Sequence, residues 1–168
     1  MTEPTSARLR FRVPENRDFD FVYSLQSDPE TMSFIRAPEI DPTAVRERMQ
    51  QWESYREQNP GLGVWITSFG DTDENVGYCV LRHVNFTPGN DLELGYVIAP
   101  AYWGQGMATE VTHALLNFAI EKFGAAKVVA FTDPGHLLSQ KVLLKCGFKA
   151  AGTAKVYSEE DAYFEFKV

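Results

Sequence analysis

The chain is 168 residues long, 44% hydrophobic and 23% charged, with a formal net charge of −7. That size suits one domain over 1–168 with a sizeable core, and no region is poor enough in apolar residues to read as disordered. The acidic balance argues against nucleic acid as the main partner, which clustered Lys and Arg would hold; it is compatible with a cationic second substrate, and equally with plain solubility.

Residues 8–13 alternate charged and apolar, the pattern of a strand with one wet face, and Pro14 ends it. Over 15–26 the apolar Phe19, Val22, Tyr23 and Leu25 fall near helical spacing, with Ser27-Asp28-Pro29 closing the segment. A short helical turn and loop follow around Met32, Phe34 and Ile35. Asp41-Pro42 reads as an N-cap with proline at the first helical position, opening a helix to about Gln58. Its apolar residues, Val45, Met49, Trp52 and Tyr55, make one narrow stripe, so it should lie on the surface. After the turn Asn59-Pro60-Gly61, residues 63–69 and 75–86 read as a hairpin. A polar loop at 87–90 leads into a third antiparallel strand, 92–98. A glycine turn follows Pro100, then a helix buried through Met107, Val111, Leu115 and Phe118 that ends near Gly124. Residues 127–132 form a short strand buried on both faces. Asp133-Pro134-Gly135 turns the chain into a helix over about 136–146, capped by Gly147, and Phe148 begins another strand. Residues 162–168 alternate again and close the sheet. The class is therefore α+β: a largely antiparallel sheet with one parallel pair where the crossover helix intervenes, and a cleft beside the carboxyl end of strand 92–98.

No apolar run approaches the roughly 18 residues of a spanning helix, and the first ten residues lack the apolar core of a signal peptide. No membrane association is expected, and a cytoplasmic address follows by default. Cys79 and Cys146 stand far apart without metal-ligand spacing. Neither disulfide nor metal is expected, and both read as small buried hydrophobes.

The chemistry concentrates in residues 92–110. A strand stopped by proline and followed by Gly104-Gln105-Gly106 and a helix gathers unpaired N–H groups at the positive end of a helix dipole. Such a point is an anion site, most plainly for phosphate. A dinucleotide fingerprint would need a third glycine where Thr109 stands, and a P-loop would need Gly-Lys-Ser/Thr. Neither is present. No Lys or Arg occurs between Arg82 and Lys122, so local phosphate contacts must come from backbone amides.

Three runs carry a more specific signal: Glu93-Leu-Gly-Tyr96, Tyr102-Trp-Gly-Gln-Gly-Met-Ala-Thr-Glu110 and Ser139-Gln-Lys-Val-Leu-Leu-Lys-Cys-Gly-Phe148. They resemble the GNAT superfamily of acyl-CoA-dependent N-acetyltransferases. The Tyr-Trp-Gly-x-Gly turn, with Ser27-Asp-Pro-Glu-Thr-Met32, is similar to its Rim-type branch of ribosomal-protein N-terminal acetyltransferases. The resemblance implies a mostly antiparallel sheet of six to seven strands flanked by helices, with a splayed parallel pair holding acetyl-CoA. It implies a pyrophosphate on the N–H groups from about Trp103 through Gly104, Gln105, Gly106 and Met107 to Ala108, with Thr109 alongside. The pantetheine arm would lie along Tyr96, Val97 and Ile98. His136, Ser139 and Lys141 join the cofactor set, and Lys141 with Lys145 could meet the ribose 3′-phosphate. The chain departs from the family at Trp103, where Arg or Gln is usual, and at His136, where Asn is common. It departs again at Leu143, where many relatives have a tyrosine acid.

Acetyl transfer needs a neutral amine, a polarised thioester carbonyl and a proton for the departing sulfur. Glu93, on a strand heading into the cleft, is the candidate base, and Ser139 and Tyr96 are candidate proton donors. An α-amine of pKa about 7.7–8.0 costs about 1 kcal/mol to deprotonate at neutral pH, a lysine between about 4 and 5. A site without an obvious strong base leans toward a protein or peptide α-amine. A polyamine or antibiotic acceptor, a non-catalytic acyl-CoA-binding module and a different acyl donor are the alternatives. Phe34, Trp52, Trp65, Tyr102 and Trp103 are candidate walls of an acceptor pocket. Monomer and homodimer stay open.

Overall fold

A computed structural model of the chain describes residues 3–84 and 91–168. The expected strand end at 85–86 and the loop at 87–90 lie outside the described residues. Seven strands form one mixed sheet: β1 (Leu9–Arg12), β2 (Gly63–Phe69), β3 (Asn75–His83), β4 (Leu92–Ile98), β5 (Lys127–Thr132), β6 (Lys149–Ala154) and β7 (Asp161–Lys167), in spatial order β1-β2-β3-β4-β5-β7-β6. Every neighbouring pair is antiparallel except β4 and β5, which are parallel. Parallel neighbours need a crossover, and α4 (Met107–Phe123) supplies it.

The other helices are α1 (Phe19–Ser27), α2 (Pro29–Met32), α3 (Pro42–Gln58) and α5 (Leu137–Lys145). Their ends follow local chemistry. Asp41 caps α3 by accepting from the Thr43 N–H, with Pro42 in the first turn, and Asp28 caps α2 through the Thr31 N–H. As its sparse apolar stripe requires, α3 buries Val45 fully and little else.

The sheet has a core on each face. One is built by α4 and α5 over Leu9, Phe11, Trp65, Cys79, Leu81, Leu92 and Leu94; the other by α1 and α3 over Val64, Ile66, Tyr78 and Val97. Both cysteines are buried in the first of these cores. The period of two along a strand separates the sets.

The last strand does not take the edge that its place in the chain suggests. Strand β7, carrying Tyr163, Phe164 and Phe166, inserts between β5 and β6. The rim goes to β6, Lys-Ala-Ala-Gly-Thr-Ala, which is exposed at all but Ala154. The aromatic strand has the apolar area to reward an interior slot, whereas small and charged residues tolerate an edge.

The pairing of β4 with β5 stops after Leu92 with Val128 and Glu93 with Val129. On its other side β4 stays paired with β3 along its whole length, to Ile98 with Gly77. Residues 94–98 therefore present an open edge, and this splay positions everything that follows.

Candidate active site

Two cavities open from the splay. The first, about 500 Å³, lies between the open edge of β4, the glycine turn and α5. Among its walls are Tyr96, Val97, Ile98, Trp103, Gly104, Gly106, Met107, Ala108, Thr109, His136, Ser139, Lys141 and Lys145. Of the residues expected to hold the cofactor only Gln105 stands off the wall. Its side chain donates to the Ala101 carbonyl at 3.0 Å.

The turn has the properties its glycines suggest. Gly104 and Gly106 have φ of 71° and 80°, in the left-handed region that side chains rarely adopt, and no heavy atom lies within 4 Å of where a Gly104 Cβ would stand. The first amide taken up by α4 is that of Glu110, on the Gly106 carbonyl at 3.0 Å. The N–H groups of Met107, Ala108 and Thr109 thus face the turn without an acceptor inside the helix. The Trp103 N–H is used by the turn itself, donating to Pro100 O at 3.2 Å. The Trp103 indole donates to the Ile98 carbonyl at 2.7 Å, so that carbonyl is already engaged.

A cation also stands at this turn, brought from the far end of the chain. Both terminal nitrogens of Arg8 donate to the Gln105 carbonyl at 3.2 Å, and its Nε meets Glu110 Oε2 at 2.6 Å. Glu110 also accepts from the Arg8 N–H and from Ser6 Oγ. The acid in the first turn of α4 is thereby neutralised beside the anion cradle.

Alternation along β4 sends Tyr96 toward α4 and α5, and Glu93 to the opposite face with Val97. Tyr96 Oη and Ser139 Oγ share a hydrogen bond of 2.9 Å. Burial pushes the Tyr96 phenol up to about 12, the Ser139 hydroxyl offsetting part of this. The pair is a proton store that does not ionise at neutral pH. Leu143, where the family's tyrosine acid would stand, is 1% exposed and packs in the core.

The second cavity, about 410 Å³, is reached across the splay. Phe34, Ile35, Tyr96, Val97, His136 and Ser139 line both cavities and so form the passage between them. His136 is the N-cap residue of α5, but its side chain makes no capping bond. It stacks instead on Phe34, ring centroids 4.5 Å apart. Burial holds its imidazole below the ordinary value, Asp133 opposing, so it is neutral at pH 7.

Glu93, 6% exposed, is in the second cavity and is not free. Its Oε2 accepts from Arg82 Nε at 3.3 Å and from the Tyr157 hydroxyl, and Arg82 also donates to Tyr157. Burial and the Glu93 charge together push the Tyr157 phenol well above its usual range. Asp161 holds the turn carrying Tyr157 by accepting from the Val156, Tyr157 and Ser158 N–H groups. Of the aromatic candidates, Phe34 and Trp52 line this cavity, while Tyr102 and Trp103 line the first. Trp65 lines neither: it is fully buried against Phe118.

Sequence reading missed Arg8, Arg36, Arg48, Arg82 and Tyr157. For one of these a signal existed. Arg82 and Glu93 are directly opposite in the hairpin register, and an opposite-charge cross-strand pair is legible once the hairpin is drawn. Among the described residues no three metal-ligating side chains gather, and no helix is long and apolar enough to cross a membrane.

The α+β sheet is splayed beside a helix N-terminus, with free backbone N–H groups on one side of the passage and a carboxylate-bearing cavity on the other, an arrangement suited to an acyltransferase with a nucleotide-linked acyl donor. The model of the acetyltransferase (GNAT) domain matches residues 8–149. The chain belongs to that family and is an acetyl-CoA-dependent N-acetyltransferase. It is 28% identical over 167 residues to the uncharacterized protein YkkB of Bacillus subtilis, covering 99% of this chain and 96% of that one. Among solved structures it resembles a spermidine N-acetyltransferase from Vibrio cholerae in complex with CoA and spermine, TM-score 0.77, 16% identity, 95% of each chain covered. It also resembles a ribosomal-protein-S5-alanine acetyltransferase from Vibrio fischeri, TM-score 0.76, 15% identity, covering 97% of this chain and 94% of that one. At these identities the likeness of the two structures is one of fold.

Proposed function

We propose that the chain transfers the acetyl group from acetyl-CoA to the α-amine of a protein or peptide, by direct attack on the thioester. The observation that carries this reading is the passage at Tyr96 and Ser139, which joins the cavity beside the glycine turn to a second cavity lined by the buried carboxylate of Glu93. The amides of residues 104–109 receive the pyrophosphate, Lys141 and Lys145 the ribose phosphate, and the open edge of 96–98 the pantetheine arm. Glu93 takes the proton of the incoming amine, directly or through water. The oxyanion meets a backbone N–H of 96–98, and the Tyr96–Ser139 pair returns a proton to the sulfur.

The α-amine fits the base that is present. The base candidate on this wall, Glu93, is a carboxylate whose Oε2 is already taken by Arg82 and Tyr157. It suits an amine that is about 1 kcal/mol from neutrality better than a lysine at between about 4 and 5. The Rim-type turn at 102–106 supports the same direction, while the solved relatives bear names of both acceptor kinds. The test is CoA release against N-terminal peptides, polyamines and aminoglycosides, with Glu93→Gln and Ser139→Ala alongside. Turnover of peptides, with both variants slowed, is the expected result. Rates in both variants equal to the native rate would remove these roles.

A further inference from the structure

Three guanidinium groups converge on the second cavity of an acidic chain: Arg36, Arg48 and Arg82. Two of them are engaged. Arg82 holds Glu93 and Tyr157. Arg48 donates to Gln26 Oε1, and its other terminal nitrogen lies 3.7 Å from Glu39 Oε2. Among the described residues the Arg36 guanidinium has neither hydrogen bond nor ion pair. The acids of the same wall are already satisfied within the protein. Glu93 accepts from Arg82 and Tyr157, Asp161 from a backbone turn and Ser158 Oγ, and Asp133 Oδ1 from the Gly135 N–H. The unmatched group of this cavity is therefore a cation.

Its surroundings sharpen the point. Arg36 is exposed along part of its length, but partial desolvation and the neighbouring Arg48 lower its proton affinity; Tyr78 and Glu39 oppose this, and Arg82 adds a smaller repulsion. A guanidinium starts so high that it stays charged. An anion arriving between these groups would relieve the repulsion and find the planar fork that guanidinium offers a carboxylate. Arg36 follows directly on Phe34 and Ile35, which line the passage. It thus stands next to the place where the amine must enter.

We infer that Arg36, with Arg48 beside it, anchors a carboxylate on the amine substrate, so that the acceptor is an amino acid or a peptide with an acidic N-terminal region and not a polycation. This rests on the transfer reading of the same cavity. Net charge alone would point the other way, toward cationic acceptors; the local charge decides because a pair in contact outweighs a screened distant field.

The experiment compares kcat/KM, expressed per concentration of neutral amine, for two pairs with acetyl-CoA: Asp-Ala-Ala-amide against Asn-Ala-Ala-amide for a side-chain carboxylate, and alanine against alaninamide for an α-carboxylate. Spermidine serves as the polycation. The expected result is a preference of about tenfold or more for the acidic member of one pair, carried by KM. In Arg36→Gln this preference should fall to within about twofold, and Arg36→Lys should restore part of it. Ratios near one in the native protein for both pairs, or spermidine as the preferred acceptor, overturn the inference without needing a variant. Arg36→Gln losing equally on acidic and neutral members overturns it as well. Failure to turn over any acceptor, with acetyl-CoA still raising Tm, overturns the transfer reading instead. Calorimetry of Asp-Ala-Ala-amide binding to the CoA-loaded protein, native against Arg36→Gln, then still decides the anion site: equal affinities reject it.

Discussion

Tyr96 and Ser139 are held by one 2.9 Å hydrogen bond at the passage between the cavities, and their chemistry is set by burial. If the pair protonates the leaving sulfur, Ser139→Ala and Tyr96→Phe should each lower kcat by about 10- to 100-fold, with KM for acetyl-CoA changed much less. Steady-state assays at saturating acceptor measure this split. The pH dependence has a definite sign. Tyr96 is pushed from its ordinary value up to about 12, so it stays protonated through the working range and kcat should hold level to about pH 10. Stability follows the same linkage. A folded-state pKa above the unfolded one contributes stability that is full below about pH 10 and lost as pH rises through about 12. Alkaline unfolding followed by circular dichroism should therefore become shallower in Tyr96→Phe. The two cysteines sit at the inert end of residue chemistry. Burial pushes both thiols up, Cys79 furthest, so neither offers a nucleophile.

At the scale of elements, the open edge of β4 depends on how tightly its other edge is held. A Cβ on Gly77 would stand 2.1 Å from the Val97 carbonyl oxygen, a backbone atom that cannot turn aside. Gly77→Ala should cost a few kcal/mol, lowering the urea midpoint, because β3 and β4 must part where the pantetheine arm would lie. The glycine turn behaves differently. Gly104 has open space around it, so Gly104→Ala pays only for its positive φ, about 1–2 kcal/mol. Gly104→Asp adds a carboxylate where phosphate is expected, and KM for acetyl-CoA should rise far more than in the alanine variant. Equal KM values in the two would show that the turn does not meet phosphate. At the other end of the sheet, Arg12 and Asp18 tie β1 to the turn before α1 at 2.5 Å. Burial pushes the Asp18 carboxyl up, but the bonds from Arg12 and the Glu15 N–H prevail and hold it below its ordinary value. Its contribution is therefore present above about pH 4 and lost as pH falls through the folded value. Asp18→Ala should destabilise by about 3 kcal/mol at neutral pH.

For the whole molecule, a donor that binds only the folded state raises stability by mass action. Acetyl-CoA at 100 times its Kd should add about 2.7 kcal/mol. For a chain of this size that raises Tm by about 5–11 °C in a thermal melt. Gly104→Asp/Gly106→Asp should abolish the rise while the unliganded protein still melts cooperatively. A full rise in that variant would move the phosphate site elsewhere. Charge is also divided at this scale. The chain as a whole is acidic, while the second cavity carries an arginine, Arg36, without a hydrogen-bond or ion-pair partner among the described residues.

How much of this the amino-acid order contains depends on separation along the chain. Residues 92–110 form strand, turn and helix through proline, glycine and apolar spacing within a few residues of each other, so that strand–turn–helix unit was legible there. So were the positions of all seven strands, the caps at Asp41 and Gly124, and the crossover that makes β4 and β5 parallel. The place of β7 was not, because interior and edge slots are settled by competition for apolar contact among strands far apart in sequence. Trp65 was misplaced for the same reason: alternation along β2 shows that it faces one side, not that α4 covers that side. The second cavity is the most tertiary feature of all. Arg36 comes from the loop after α2, Arg48 from α3, Arg82 from β3 and Tyr157 from the turn before β7. Local patterning could build each of those segments. Only the order of the strands, fixed by long-range burial, brings their charges to one place and decides which of them are paired among the described residues.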